Sequence, residues 1–330
     1  MRVVTLEDHV SFPEMTSRVP NELLGQHKIR QAPAAQQLAD ALKDVTGQRL
    51  KSMDDNGISM QVLSVSGIGA DLLSPEDAPA FAHEYNHAVA HSISGHRDRF
   101  AAFAHLPMTN PEAAADELEH CVNKHGFVGG LINGLTNGEF LDHPKFAPLF
   151  ERAQALDVPI YLHPGLPPDA VVDAYYSNLP KMAGTILSIA GWGWHSETAI
   201  HTLRLIVSGT LDKYPKFKLI IGHMGEMLPM MMARCDVMFK TNAVGANQRT
   251  VSETLKDQVH ITTSGIFTQP PLQAALATFG ADRIMFSIDY PFASNDVGKK
   301  FIDQMQISEA DKEKIVHGNA DNLLKLKVEA

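Results

Sequence analysis

A chain of 330 residues with 44% hydrophobic and 20% charged side chains can bury a large core, which excludes disordered, collagen-like and disulfide-stapled classes. Its 28 basic and 38 acidic residues give a formal net charge of -10, so it lacks the basic footprint that nucleic acid or an anionic membrane requires. Two cysteines outside any ligand-like spacing point to free thiols, and with no signal peptide in "MRVVTLEDHV" and no apolar run of about 18 residues, the expected setting is the cytoplasm.

Eight short apolar runs read as strands: 2–6, 61–65, 100–104, 127–132, 158–162, 217–221, 259–263 and 283–288. Segments of helical spacing separate most of them. In "NPEAAADELEHCVNKHG", Asn110 caps, Pro111 takes the first helical position and Gly126 ends the helix. This alternation predicts an α/β fold, a (β/α)₈ TIM barrel formed by residues 1–330 as a single domain. The absence of GxGxxG after the first strand removes the commonest nucleotide-binding alternative. Long connections follow strand one (10–45, with Pro13, Pro20 and Pro33) and strand five (164–195, with "PGLPPD", "NLP" and "GWGW"). Loops of that length belong to lids or oligomer contacts. The tail 321–330 reads as a last helix.

Polar, ligand-type residues crown the strands at one end. Strand one ends in Glu7, Asp8 and His9, strand three in His105, strand four in Asn133, strand five in His163, strand six in His223 and strand eight in Asp289. In a barrel these positions share the rim that carries active sites. Glu7 and His9, two apart on an extended segment, point to one face. With His163 and Asp289 they make a mixed nitrogen and oxygen donor set suited to one divalent ion, zinc or manganese. His105 and Asn133 read equally well as structural or as supporting residues, and Asn133 is a candidate substrate contact. Met227, Met230, Met231, Met232 and Met238 read as core, and Trp192 and Trp194 either wall a substrate pocket or pack. His83, His87, His91, His96, His120 and His125 read as solvated, with no acidic partner pattern.

The segments "LEDH", "DVPIYLHPG", "YPKFKLIIGHMGEMLP", "HITTSG" and "ADRIMFSIDYPF", in this order, resemble the amidohydrolase-superfamily branch of nonoxidative aromatic acid decarboxylases. That branch includes the gamma-resorcylate, 2,3-dihydroxybenzoate and 5-carboxyvanillate decarboxylases and, more distantly, aminocarboxymuconate semialdehyde decarboxylase. The resemblance implies a (β/α)₈ barrel with one zinc or manganese ion on Glu7, His9, His163 and Asp289. It places His223 and Glu226 beside the substrate as a hydrogen-bonded pair, puts Arg234 near the substrate's polar groups, and suggests a homodimer or homotetramer.

Hydrolytic relatives commonly begin with His-x-His, whereas the hydroxybenzoate decarboxylases begin with Glu-x-His, as here. The expected reaction is therefore decarboxylation of an ortho-hydroxybenzoate such as a salicylate or dihydroxybenzoate, with Asp289 protonating the ring carbon and no organic cofactor. The alternative is a metal-hydroxide hydrolase of a lactone or amide, or a hydratase, using the same residues. Two departures from the resemblance bear on substrate. "PGLPPD" (164–169) lacks the arginine that follows the strand-five histidine in the relatives, and His195 stands where they carry a small or uncharged residue. His195 and Trp194 are accordingly expected to touch substrate, and the acid is expected to be a less polar salicylate.

Overall fold

The computed structural model describes residues 1–24, 34–67, 69–241 and 243–326. Its strands are β1 (Val4–Val10), β2 (Met60–Val65), β3 (Phe100–Ala102), β4 (Ala104–His105), β5 (Gly130–Asn133), β6 (Ile160–His163), β7 (Leu219–Ile221), β8 (Val259–Thr262) and β9 (Ile284–Met285). All neighbouring pairs are parallel, in the orders β1-β2-β3 and β4-β5-β6-β7-β8-β9.

The expected third strand is two short pieces, because ladder hydrogen bonding changes hands at Phe103. The Phe103 amide donates to Leu63 O (2.8 Å) and the Ala104 amide to Gly129 O (2.8 Å), which carries the ladder from β2 to β5. At the other junction Leu6 bridges Ser287 in parallel, and the His9 amide donates to Tyr290 O (2.6 Å). The two sheets therefore form one (β/α)₈ barrel.

Strands buried on both faces read as unbroken apolar runs, and the structure sorts them by alternation. Val4, Leu6, Val62, Phe103, Leu131, Tyr161, Ile220 and Met285 form one inner cluster. Their neighbours Leu63, Ile132, Leu162, Leu219, Ile221 and Ile284 belong to a second, larger cluster that includes the helices. Helix Pro111–His120 starts as expected, with Asn110 Oδ1 accepting from the Ala113 amide (3.2 Å), and its π-helical extension stops at Gly126 in the left-handed region (φ 67°).

The two long connections are helical in part. Pro13–Thr16 and Ala34–Lys43 lie after β1; Asp169–Val171, Val172–Tyr176 and Ala183–Ser188 lie after β6. Pro33 and the tail beyond Leu326 are outside the described residues. The methionine reading is corrected. Helix Leu228–Met238 buries only Leu228, Pro229, Met232 and Cys235, and leaves Met230, Met231 and Met238 exposed. His83 is corrected too, since its Nδ1 lies 3.0 Å from Glu117 Oε2. Among the described residues no helix is long and apolar enough to cross a membrane.

Arg49, fully buried on helix Gln48–Asp55, braces the end of β1 that carries Glu7 and His9. Its guanidinium donates to His9 O (2.5 Å), Asp44 O (3.0 Å) and Gln61 Oε1 (3.3 Å), and stacks over Tyr290 at 4.7 Å. Burial pushes the neighbouring Asp8 carboxyl up to about 8 even though the Thr5 hydroxyl and Arg49 favour its charge. Arg49→Met leaves these buried acceptors without a partner and is expected to cost about 3 kcal/mol. Thermal unfolding checks this, and an unchanged Tm would contradict it.

His201 is a structural histidine, buried and accepting from the Leu141 amide (2.9 Å). Burial lowers its pKa from 6.5 to about 3, so the folded state holds it neutral while the unfolded chain protonates it. Its contribution is therefore present above about pH 6.5 and is lost as pH falls towards 3. His201→Gln should flatten the acid side of a Tm-versus-pH curve; an unaltered slope would contradict this.

Candidate metal and active site

Glu7 stands at an irregularity in the β1–β2 register between Thr5 and Asp8, with φ 59°. The segment is thus not simply extended, as the sequence reading assumed, yet Glu7 and His9 still converge. Left-handed backbone at a non-glycine residue costs about 1 kcal/mol or more and persists where surrounding contacts enforce it. Here those contacts are visible. Glu7 Oε2 accepts hydrogen bonds from the hydroxyls of Tyr161 and Ser264, with Thr262 Oγ1 at 3.5 Å. Room for this arrangement depends on Gly222, where a Cβ would stand 2.9 Å from Glu7 Oε2 and 3.1 Å from the Tyr161 hydroxyl. Burial, then the Glu7 charge, raise the Tyr161 pKa well above its usual value, so the phenol stays a donor.

The other carboxylate oxygen, Oε1, is buried and takes no hydrogen bond among the described residues. It faces His163 Nε2 at 3.4 Å and His223 Nε2 at 3.9 Å. Donor atoms of Glu7, His9 and His163 all lie within 4.8 Å of one another. The Nδ1 of His9 is engaged by Ser64 Oγ at 3.0 Å, which orients the ring, and its Nε2 lies 3.2 Å from Asp289 Oδ1. Burial, then neighbouring His9, push the His163 pKa down to about 3, which keeps the imidazole neutral, the form that binds a metal. An orphaned buried carboxylate oxygen among two imidazoles fits a divalent cation such as manganese or zinc. Asp289, also in the left-handed region (φ 73°), stands at the edge of this set.

Beside it lies a second buried group. Glu226 Oε1 is 2.8 Å from His223 Nδ1, and Glu226 Oε2 is 2.6 Å from His195 Nδ1. The expected His223–Glu226 pair is present, and His195, expected to face substrate, is held by the other oxygen of Glu226. Burial opposes charge on both partners, but their mutual attraction outweighs it. His223 is raised to about 10, and Glu226 is held below its usual range by His223 and His195. Both His223 and Glu226 have positive φ, as do Met224 and Met227.

The remaining residues fall as follows. Asn133 ends β5 in register with His163, and its amide donates to Asp71 Oδ2 (3.1 Å). His105 is buried, accepts from the Ala70 amide (2.8 Å) and lies outside both clusters. Trp194 is half-buried, with its Nε1 enclosed and unbonded among the described residues. Arg234 lies exposed on helix Leu228–Met238.

Residues 23–326 match the family model described as amidohydrolase. The chain belongs to that family. A gamma-resorcylate decarboxylase from Polaromonas sp. JS666 is 39% identical over 302 residues, covering 88% of this chain and 90% of the relative. A solved 2,6-dihydroxybenzoate decarboxylase complexed with 2,6-dihydroxybenzoate superposes with TM-score 0.89 at 35% identity, covering 99% of this chain and 100% of that one. A dihydroxybenzoic acid decarboxylase from Polaromonas sp. JS666, with bound manganese and the inhibitor 2-nitroresorcinol, superposes with TM-score 0.90 at 36% identity, covering 99% and 98%.

In this amidohydrolase the sequence reading missed the hydroxyls of Tyr161, Thr262, Ser264 and Ser64, which hold the donor residues. Their signal was present. Each is a polar residue at or near the end of an otherwise apolar strand. Partners of this kind typically change metal affinity 10–100-fold. Tyr161→Phe and Ser264→Ala are each expected to weaken manganese binding about tenfold or more in a chelator competition. Affinity equal to wild type would contradict the support role of these hydroxyls.

Proposed function

We propose that this chain is a metal-dependent nonoxidative decarboxylase of an ortho-hydroxybenzoate. The observation that carries the reading is the buried Glu7–His9–His163 donor set with its orphaned carboxylate oxygen, placed beside a charged His–Glu pair on the active-site rim of the barrel. Support comes from the extent of the likeness to aromatic acid decarboxylases, which runs over nearly the whole chain. We read residues 1–330 as one barrel domain, with Glu7, His9, His163 and Asp289 as the ligands. When bound, a manganese or zinc ion supplies a positive centre that orients and neutralises a carboxylate and its ortho oxygen.

The chain's own residues then handle protons. Asp289, in its protonated form, gives its proton to the ring carbon bearing the carboxylate. The carbon–carbon bond then breaks, its electron pair restores the aromatic ring, and carbon dioxide leaves. Asp289 is left as a carboxylate that must be reprotonated. His223, fixed by Glu226, presents Nε2 to the substrate's oxygen substituents, and Trp194 offers an unbonded Nε1–H in the same segment as His195. Within the substrate class we favour less polar salicylates, because 164–169 carries no cation.

A homodimer or homotetramer accords with the apolar side chains left in water on two segments, among them Tyr175 (73% exposed), Met182, Ile186, Trp192, Met230 (77%) and Met231. Arg234 lies on the second of these segments, so we place it at the subunit contact. Two buried free thiols accord with a reducing, cytoplasmic setting.

Carbon dioxide release from the metal-loaded protein over a panel of ortho-hydroxybenzoates, with lactones and amides alongside, tests the reading. Turnover of a salicylate is expected, and Asp289→Asn should abolish it while the protein remains folded. Turnover of lactones or amides alone would overturn the reaction class, and near-wild-type rates in Asp289→Asn would remove Asp289 from the donor role. Gamma-resorcylate as the best substrate would overturn the preference for a less polar acid.

A further inference from the structure

The contact between His195 and Glu226 does not balance unless it contains a cation. His195 Nε2 lies 3.0 Å from Ala190 O. A carbonyl oxygen only accepts, so this nitrogen carries hydrogen and donates. The remaining ring nitrogen, Nδ1, lies 2.6 Å from Glu226 Oε2. A neutral His195 would then aim a lone pair at a carboxylate oxygen inside a buried site, an arrangement that repels. Glu226 cannot turn away, because its other oxygen accepts from His223 Nδ1 at 2.8 Å and the carboxylate is fully buried. Either a proton or a metal ion must sit between His195 and Glu226.

The separation favours the proton. A 2.6 Å gap suits a short charge-assisted hydrogen bond. A divalent ion bonded to both atoms at about 2.0–2.2 Å would hold them further apart unless the angle at the metal were acute.

We propose that His195 is a positioning residue that brings one extra proton to Glu226 and thereby locks the carboxylate against His223. Glu226 held in this way fixes His223 as the Nδ1–H donor and keeps its Nε2 turned to Glu7 Oε1, 3.9 Å away. The rings of His195 and His223 meet edge to face at 4.8 Å.

The local fold is arranged for this contact against an opposing effect. His195 lies in the first turn of helix Gly193–Val207, where the helix dipole disfavours a positive charge. The buried Glu226 carboxylate offsets that. The turn itself requires Gly193, since a Cβ there would stand 2.2 Å from Ser188 O. The His195 side chain is 16% exposed, that of His223 10%, and Glu226 is fully buried, so His195 is the most exposed of the three.

Three readouts test the proposal, and only the activity readout rests on the decarboxylase reading. Metal analysis of the loaded protein should give one ion per chain; two per chain, with the second lost in His195→Ala, would overturn it in favour of a metal between His195 and Glu226. Nitrogen-15 histidine NMR of the zinc-loaded protein should show a strongly downfield proton in the His195–Glu226 contact that disappears in His195→Gln and in Glu226→Gln. Absence of that proton from the wild type would overturn the proposal whatever the enzyme does. In carbon dioxide release, His195→Ala should lower kcat about tenfold with a smaller change in KM, and added imidazole should restore part of the rate. An unchanged kcat would overturn the positioning role. A wild type inactive on every acid counts against the decarboxylase reading alone, and the NMR result then decides this inference.

Discussion

The division of labour between the two oxygens of Glu7 is the constraint on which the site depends. One oxygen is bound by hydroxyls from β6 and the end of β8, and the other is left bare and buried against His163 and His223. A bare carboxylate oxygen in a dry place costs several kcal/mol unless a cation meets it. The barrel supplies the rigidity that keeps it there. Gly222 gives the space, the backbone irregularity at Glu7 gives the direction, and Arg49 beneath His9 O holds the strand end that carries both residues.

Backbone strain is concentrated at the same place. Glu7, His223, Glu226 and Asp289 all adopt positive φ, Glu7 at the register irregularity within β1 and the other three in the segments that follow β7 and β9. Such residues trade local comfort for placement, and the ring of parallel strands beneath them makes the trade possible by over-determining where each strand ends. Two charge systems result, one around Glu7 and one around Glu226, joined through His223. The first suits a metal ion, and in the second the buried Glu226 carboxylate favours the protonated form of His223.

Much of this was legible in the sequence, for a physical reason. Strands buried on both faces must be apolar throughout, so a histidine or carboxylate at their lip stands out, as His9, His163, His223 and Asp289 do in the sequence. The hydroxyls behind Glu7 were not. They come from residues 154 and 257 positions away, and nothing local in "YLH" or "TTSG" reveals which carboxylate they serve. The bend at Glu7 was also hidden, because glutamate carries no signature for the left-handed region. His195 was seen as unusual but assigned to substrate, since its partner Glu226 lies 31 residues on and meets it only through the fold. Helix Leu228–Met238 misled in another way: a methionine-rich run looked like core, but the burial spacing Leu228, Met232, Cys235 accounts for one face alone.

The decarboxylase reading turns on where a proton ends up. Running the metal-loaded protein on a salicylate in deuterated water and locating the deuterium in the product tests it most directly. One carbon dioxide per product molecule is expected, with deuterium at the ring carbon that carried the carboxylate. A product that keeps its carboxylate, or that gains oxygen from water instead of deuterium on the ring, would contradict it.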